Sequence, residues 1–211
     1  MGINNGIKNI IFDWGGVIIN IDYNQTRNAF LGMGMTNFDE HFSQFEQKAI
    51  FDRLDVGQAT GEEFYAAIQK EMPVGTRIEQ IKDAWNAMML DFPEENFQLL
   101  KELKNKYRTF LFSNTNEPHL EYYFDKIQKW YGIDTMDPLF EKAYYSCRFG
   151  MRKPNPEAFL KIMEENDLIP SETLFIDDSI QHVEGARKAG LNGYHLRHPE
   201  RLVDMFGDGS L

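Results

Sequence analysis

The chain has 211 residues, a formal net charge of −11 at pH 7 and 42% hydrophobic residues. This composition is typical of a folded protein of one or two domains, and the acidic balance argues against nucleic acid or an anionic membrane as a partner. The only cysteine is Cys147, which excludes an internal disulfide. Because no membrane-length apolar segment or signal-peptide stretch is evident, we expect a cytoplasmic protein.

Short apolar segments that end in a polar residue predict buried strands. They cover residues 10–12, 110–112 and 174–176, and a weaker one covers residues 143–145. Continuous apolar segments are typical of strands buried on both faces, although periodicity alone does not separate them from buried helices. The polar residues that follow them favour strands of a parallel sheet.

Apolar residues at helical spacing separate these strands. The stripes comprise Phe97, Leu100, Leu103 and Tyr107, then Pro156, Phe159, Leu160 and Met163, and finally Val183, Ala186 and Ala189. Alternating strands and helices predict an α/β fold with a doubly wound, mostly parallel, Rossmann-like sheet.

The segment from residue 21 to residue 93 interrupts this alternation and predicts four helices with no strand. Its stripes are Phe42, Phe45 and Ala49, then Phe64, Ala67, Ile68 and Met72, then Ile78, Ile81, Trp85, Met88 and Met89. Gly57 and Gly61 are expected in a turn between two of the helices. We therefore predict a catalytic core of residues 1–20 and 94–211 with a helical cap inserted at 21–93.

Polar residues at the predicted strand ends have the chemistry that phosphoryl transfer needs. Ligands of open α/β sheets bind beyond the carboxyl ends of the strands. Asp13 supplies a carboxylate there, Asp177 and Asp178 supply an acidic pair, and Lys153 lies in a loop between strands. A carboxylate that attacks a phosphate needs a divalent cation and a lysine to offset charge repulsion. Each residue alone has an ordinary reading as a helix cap, turn or surface residue, so the ordered combination carries the prediction.

Four segments resemble the ordered motifs of the haloacid dehalogenase superfamily. They are residues 12–17 (Phe-Asp-Trp-Gly-Gly-Val), 113–116 (Ser-Asn-Thr-Asn), 150–154 (Gly-Met-Arg-Lys-Pro) and 175–179 (Phe-Ile-Asp-Asp-Ser). The resemblance extends from Ile7 to about Leu196, and the inserted helices resemble the first cap class of that family. Among its branches, the chain is most similar to α-D-glucose-1-phosphate phosphatase-like proteins and to the phosphatase domain of soluble epoxide hydrolases.

The resemblance implies a Mg²⁺-dependent phosphatase acting on a small phosphate ester, with a sugar phosphate favoured, through an aspartyl-phosphate intermediate. It implies that Asp13 is the nucleophile and a Mg²⁺ ligand, and that Lys153 orients Asp13 and the phosphate. The other implied roles are phosphate binding by Trp14, Gly15, Ser113 and Asn114, and metal binding by the Gly15 carbonyl and Asp178, with Asp177 acting through water or as an alternate ligand. We expect a monomer or a weak homodimer.

Gly15 departs from the family pattern. Most phosphatases of the superfamily have an aspartate at this position, which protonates the leaving oxygen and activates water. General acid–base help is worth about 10²–10⁴-fold, so we expect slower turnover, or substitution by water or by an acid from the cap. The candidates are Asp52, Asp55, Glu62 and Glu63.

Two alternatives stay open because of this departure. A 2-haloacid dehalogenase needs neither a metal nor a proton on its leaving halide, but it has no use for the paired Asp177 and Asp178. A catalytically weak binding or regulatory protein is the other alternative, which the intact Asp13 and Lys153 oppose. His182, a few residues after the fourth motif, is close enough in sequence to reach the site, but a position on a helix surface is the favoured expectation.

Overall fold

The computed structural model describes residues 6–36, 38 and 49–206. Its centre is a five-stranded sheet in the order β3-β2-β1-β4-β5, in which every neighbouring pair is parallel. The strands are β1 (Asn9–Phe12), β2 (Arg108–Ser113), β3 (Lys142–Tyr145), β4 (Thr173–Asp177) and β5 (Asn192–His195). The predicted parallel α/β fold is confirmed, while β5 is an additional edge strand whose half-buried residues form no apolar segment.

The central strand β1 sets the position of the sheet-end residues. It pairs with β2 on one side and β4 on the other, so the order of the strands reverses there. Ile10 and Phe12 pack into the hydrophobic cluster on one face of the sheet, and Ile11 packs into the cluster on the other. Burial on both faces explains the continuous apolar segment, and it places Asp13 at the crevice where the strand order changes.

Helices cover both faces of the sheet. In chain order after the insertion they are α5 (Glu94–Leu103), α6 (Glu117–Tyr131), α7 (Ser146–Phe149), α8 (Pro156–Glu165), α9 (Ile180–Lys188) and α10 (Leu202–Phe206). Local signals explain their starts: the Asn116 side chain accepts a hydrogen bond from the His119 N–H, and the Asn155 side chain accepts one from the Glu157 N–H. Within the part of the chain described here, no helix combines the length and apolarity required to cross a bilayer.

Four helices with described bounds form the insertion between β1 and α5. They are α1 (Tyr23–Gly32), α2 (Ala49–Asp55), α3 (Gly61–Gln69) and α4 (Ile78–Asn86). Phe42 and Phe45 of the first predicted stripe lie outside the described residues. Gly57 occupies the predicted turn with φ +72°, whereas Gly61 is the first residue of α3, because the Thr60 and Glu63 side chains cap that helix reciprocally.

The two connections between the sheet layer and the inserted helices run side by side. The Asn20 N–H donates to the Asp91 carbonyl at 2.9 Å, and the Leu90 N–H donates to the Asn20 carbonyl at 3.1 Å. The Asn20 side chain also donates to the Asp91 carboxylate at 2.9 Å. The chain therefore leaves and re-enters the sheet layer through one paired crossing.

His119 of α6 is buried where the inserted helices contact the sheet layer. Its ring stacks on Trp85 with centroids 4.8 Å apart, and its Nδ1 lies 2.9 Å from the Asn86 side-chain oxygen. Burial lowers the pKa of His119 to about 3. The ring is therefore neutral in the folded protein near neutral pH.

The free energy of unfolding should consequently fall on acidification. The unfolded His119 takes up a proton below its ordinary pKa of 6.5, while the folded ring stays neutral down to about 3. The resulting loss of unfolding free energy is absent well above pH 6.5. It grows as the pH falls and reaches about 2 kcal/mol near pH 5. Urea denaturation of His119→Gln should show a flatter pH dependence than wild type, with the exposed His198→Gln as control. An unchanged slope in His119→Gln would contradict this assignment.

Candidate active site

Lys153 is a buried positive charge at the carboxyl ends of the strands. Its side chain is fully buried, and its Nζ lies 2.7 Å from Oδ1 of Asp13 and 2.7 Å from Oδ2 of Asp177. Burial lowers the pKa of Lys153, but the two carboxylates outweigh it and hold the pKa above its ordinary value. The lysine is therefore a permanent cation that joins the acids of the first and fourth motifs.

Asp177 is the fixed member of the acidic pair. It accepts hydrogen bonds from the Lys153 ammonium at 2.7 Å and from the Ser179 N–H at 2.7 Å. Nδ1 of His182 lies 3.1 Å from both carboxylate oxygens. Burial raises the pKa of Asp177, but the charges and hydrogen bonds of Lys153 and His182 outweigh it and hold the pKa below the ordinary value.

The expected surface position of His182 is wrong. Only 22% of its side chain is exposed, because the first turn of α9 folds back over the end of β4 and brings the ring onto Asp177. A histidine in the first turn of a helix that follows an acidic strand end is the sequence signal for this contact.

Asp178 is the open member of the pair. Its residue is exposed, and its carboxylate lies against the Gly16 backbone, where an added Cβ would come within 2.3 Å of Oδ2. Gly16 also has φ +76°, which L side chains rarely adopt. Burial and the charge of Asp177 raise the pKa of Asp178. The first and fourth motifs therefore meet here through a backbone that only glycine fits.

The acidic groups fit a hard divalent cation. Ligand atoms of Asp13, Asp177 and His182 all lie within 4.8 Å of one another, and this group does not include Asp178. Burial, followed by the charge of Asp177, raises the pKa of Asp13, and Asp178 adds to this repulsion. A cation bound among these carboxylates would relieve the repulsion, and oxygen donors are the ligands that Mg²⁺ prefers.

Two hydrogen bonds of the Asn114 side chain connect the second motif to the third. Its Oδ1 accepts from the Lys153 N–H at 2.9 Å, and its Nδ2 donates to the Lys153 carbonyl at 2.9 Å. This reciprocal pair positions Lys153, a role that the sequence did not reveal, and it leaves the backbone N–H of Asn114 for the predicted phosphate contact. Ser113 lies beside it, buried at the end of β2.

The first-motif loop orients the Asp13 carboxylate. The Trp14 N–H donates to Oδ1 of Asp13 at 2.6 Å, so this oxygen is held by both Trp14 and Lys153. The Trp14 indole is buried edge-on against Tyr123, with centroids 5.1 Å apart. A Cβ on Gly15 would lie 3.1 Å from Cδ1 of Ile21, so the position has little room for a side chain.

The structure separates the four candidate substitute acids. Nη1 of Arg152, the neighbour of Lys153, lies 2.7 Å from Oδ1 of Asp52 and 3.6 Å from Oδ2 of Asp55. Glu63 instead accepts from the Thr60 N–H as a helix cap. Glu62 lines a groove of about 790 Å³ between α3, α4 and α6, whose lining does not include the sheet-end acids. Only Asp52 and Asp55 therefore contact a residue of the predicted motifs.

Comparison with known proteins agrees with this geometry. Residues 7–190 match the family of haloacid dehalogenase-like hydrolases. D-ribitol-5-phosphate phosphatase from Bacteroides thetaiotaomicron is 29% identical over 198 residues, which cover 94% of each chain. A family enzyme from the same bacterium, solved with magnesium and inorganic phosphate as an aspartate-to-alanine mutant, has a TM-score of 0.88 and 33% identity over 95% of this chain and 99% of its own.

A haloacid dehalogenase shares the fold at greater distance. L-2-haloacid dehalogenase from Xanthobacter autotrophicus superposes with a TM-score of 0.56 at 19% identity, over 90% of this chain and 77% of its own. This likeness extends to architecture alone. The ordered motifs, their convergence at the sheet edge and the match over residues 7–190 show that the chain belongs to the haloacid dehalogenase-like hydrolase family.

Proposed function

We propose that this protein is a Mg²⁺-dependent phosphatase that hydrolyses a small phosphorylated metabolite through an aspartyl-phosphate on Asp13. The observation that carries the proposal is the Asp13 carboxylate, held at Oδ1 by the buried Lys153 ammonium and the Trp14 N–H beside an acidic pair. Similarity to a D-ribitol-5-phosphate phosphatase favours a sugar or polyol phosphate as the substrate.

The proposed reaction has two half-reactions. Asp13 attacks phosphorus in line as the bond to the leaving oxygen breaks, and water then hydrolyses the aspartyl-phosphate. The Lys153 ammonium offsets the charge that the phosphate brings to the carboxylate. Ser113, Asn114 and the backbone N–H of Gly15 are the proposed phosphate donors. The Trp14 N–H, which the sequence grouped with them, donates to Oδ1 of Asp13 in this structure.

Mg²⁺, when bound, would neutralise charge on the phosphate oxygens. We assign its direct protein ligands to Asp13, Asp178 and the Gly15 carbonyl. Asp177 is better suited to a water-mediated or alternate role, because the ammonium of Lys153, the N–H of Ser179 and the ring of His182 already contact its two oxygens.

The inserted helices are the proposed specificity element. The core of residues 1–20 and 94–211 supplies the reacting groups, and the cap of residues 21–93 would close over the substrate and exclude bulk water. The paired crossing at Asn20 and Asp91 supports this division, because two hydrogen-bonded segments that form the only described connection between the core and the cap can act as a hinge. A monomer or weak homodimer stays a prediction.

The test is phosphate release from p-nitrophenyl phosphate by the purified protein, with and without Mg²⁺. Release that requires Mg²⁺ supports the proposal. Chloride release from chloroacetate without metal would favour the dehalogenase alternative, and metal binding with no turnover of any ester would favour a binding protein. The paired Asp177 and Asp178 argue for the phosphatase, since a metal-free dehalogenase has no use for both.

Removal of the metal or of one ligand should have graded effects. EDTA should abolish phosphate release and added Mg²⁺ should restore it. Asp178→Asn should raise the Mg²⁺ concentration for half-maximal activity by at least about tenfold, because the site loses one carboxylate charge. Titration of Mg²⁺ measures this, with the exposed Asp125→Asn of α6 as control. An unshifted titration in Asp178→Asn would exclude Asp178 as a ligand.

A further inference from the structure

Gly15, the usual place for a general acid, offers no acidic side chain and little space for one. A Cβ on Gly15 would meet Cδ1 of Ile21 at 3.1 Å and its Cγ2 at 3.4 Å. Even a small side chain therefore requires Ile21 to move, and the position itself carries no titratable group. A proton for a poor leaving group must come from another element.

We propose that Asp55, the last residue of α2, is the general acid and base that serves the reaction at Asp13. This inference rests on the proposed phosphatase function. The side chain of Asp55 is 18% exposed, so it is largely shielded by the protein but still reaches solvent. Asp55 lies on the inserted helices, which puts the proton donor on the element that would also bind the leaving group.

Two active-site loops hold the Asp55 carboxylate. Its Oδ1 accepts a long hydrogen bond from Nδ2 of Asn116 at 3.4 Å, and its Oδ2 lies 3.6 Å from Nη1 of Arg152. Asn116 follows Asn114 by two residues, and Arg152 immediately precedes Lys153. Because Asn114 and Lys153 are themselves joined by two hydrogen bonds of 2.9 Å, Asp55 is linked to the same rigid unit that holds Asp13.

The turn that follows Asp55 is pressed against the sheet layer. A Cβ on Gly57 would lie 2.0 Å from the carbonyl oxygen of Cys147 in α7, and Gly57 has φ +72°. A glycine is therefore required for this close approach. The approach fixes the end of α2 beside the third-motif loop instead of leaving it free in solvent.

Tyr23 connects Asp55 electrostatically to the nucleophile. The surrounding protein raises the pKa of Tyr23, and the charges of Asp13, Asp178 and Asp55 raise it further. The ring is 61% exposed, so solvent weakens the effect. Tyr23 nevertheless responds to the charges of both Asp13 and Asp55, so the two carboxylates belong to one electrostatic environment.

The environment of Asp55 suits a proton carrier. Burial raises the pKa of Asp55 to about 6, while Arg152 and Asn116 oppose the rise and Asp52 adds to it. Other titratable groups that interact with Asp55 include Tyr23 and the Cys147 thiol. A carboxyl group with such a pKa is present in both protonation states near neutral pH, as a group that both donates and accepts must be.

The proton and bond changes balance over one turnover. In the first half-reaction, an Asp13 oxygen bonds to phosphorus, the phosphorus–oxygen bond of the ester breaks, and the Asp55 proton passes to the leaving oxygen. In the second, water bonds to phosphorus, the bond to Asp13 breaks with its electron pair returning to the carboxylate, and the water proton passes to Asp55. Both carboxyl groups are thereby restored.

The experiment compares two leaving groups in one variant. Asp55→Asn should lower kcat/KM for an alkyl ester, D-ribitol 5-phosphate or glycerol phosphate, by about 10²-fold, because an alkoxide leaves poorly without a proton. The same variant should retain nearly wild-type kcat/KM for p-nitrophenyl phosphate, whose phenolate leaves unaided. Wild-type kcat/KM for the alkyl ester should fall as the pH rises above about 6. The pH profile of Asp55→Asn should not show this fall. Asp55→Glu should restore part of the alkyl-ester activity.

Asp52→Asn is the matched control. Asp52 lies one turn earlier on α2 and makes the shorter contact with Arg152, at 2.7 Å. A role limited to holding Arg152 would make Asp52→Asn at least as damaging as Asp55→Asn, and equally so for both esters. That result would overturn the proposal. Equal losses for both esters in Asp55→Asn, or no loss of activity in Asp55→Asn, would overturn it as well. Wild-type protein inactive toward every ester would instead reject the phosphatase function itself.

Discussion

Asp13→Asn should abolish turnover, lowering kcat for p-nitrophenyl phosphate by at least about 10⁴-fold. An amide has the shape of the carboxylate but is a very poor nucleophile, so the aspartyl-phosphate cannot form. The substitution also leaves Lys153 with Asp177 as its remaining carboxylate partner at 2.7 Å, so the variant should stay folded. The loss is therefore expected in chemistry more than in structure.

Rapid-quench and intact-mass measurements make this test specific. Wild-type protein mixed with substrate should show a transient mass increase of one phosphoryl group, and Asp13→Asn should show none. The exposed Asp125→Asn variant on α6 removes a carboxylate from the surface and should behave as wild type. Sustained turnover in Asp13→Asn, with a phosphoryl adduct on another residue, would show that Asp13 is not the nucleophile.

The sheet and the polar residues at its strand ends are largely readable from the sequence. Strands β1, β2 and β4 are buried on both faces, so each forms a continuous apolar segment whose end marks Asp13, Ser113 or Asp177. Strand β5 has no such signal, because its residues are half-buried at the sheet edge. The strand order β3-β2-β1-β4-β5 depends on long-range pairing that no local pattern encodes.

The long-range contacts that position the site residues could not be predicted from the sequence. The reciprocal hydrogen bonds of Asn114 with Lys153 join residues 39 positions apart, and the contact of Asp52 with Arg152 joins residues 100 positions apart. The sequence around Asp55 is typical of an ordinary exposed helix end, and only the fold shows that Asp52 and Asp55 are the two acidic candidates that approach the motifs. Local patterns thus predict which chemistry is available, while tertiary packing decides which groups share a site.

Lys153→Met should both inactivate and destabilise the protein. The fully buried ammonium lies 2.7 Å from the carboxylates of Asp13 and Asp177, and its removal leaves two buried acids without their counter-charge. Loss of one partner from a buried ion pair costs about 3–5 kcal/mol of unfolding free energy. Activity should also fall by about 10²–10³-fold, because the phosphate loses a preorganised charge. Urea denaturation and initial rates measure the two effects, with the exposed Lys129→Met as control.

A second substitution separates the two roles of this lysine. In Lys153→Met combined with Asp177→Asn, one uncompensated buried charge disappears, so part of the lost stability should return. Activity should stay low, since the ammonium that faces the phosphate is still missing. The double-mutant cycle therefore should show strong coupling between Lys153 and Asp177 in unfolding free energy. Additive losses of stability would mean that the 2.7 Å contact between Lys153 and Asp177 contributes little to the free energy of unfolding.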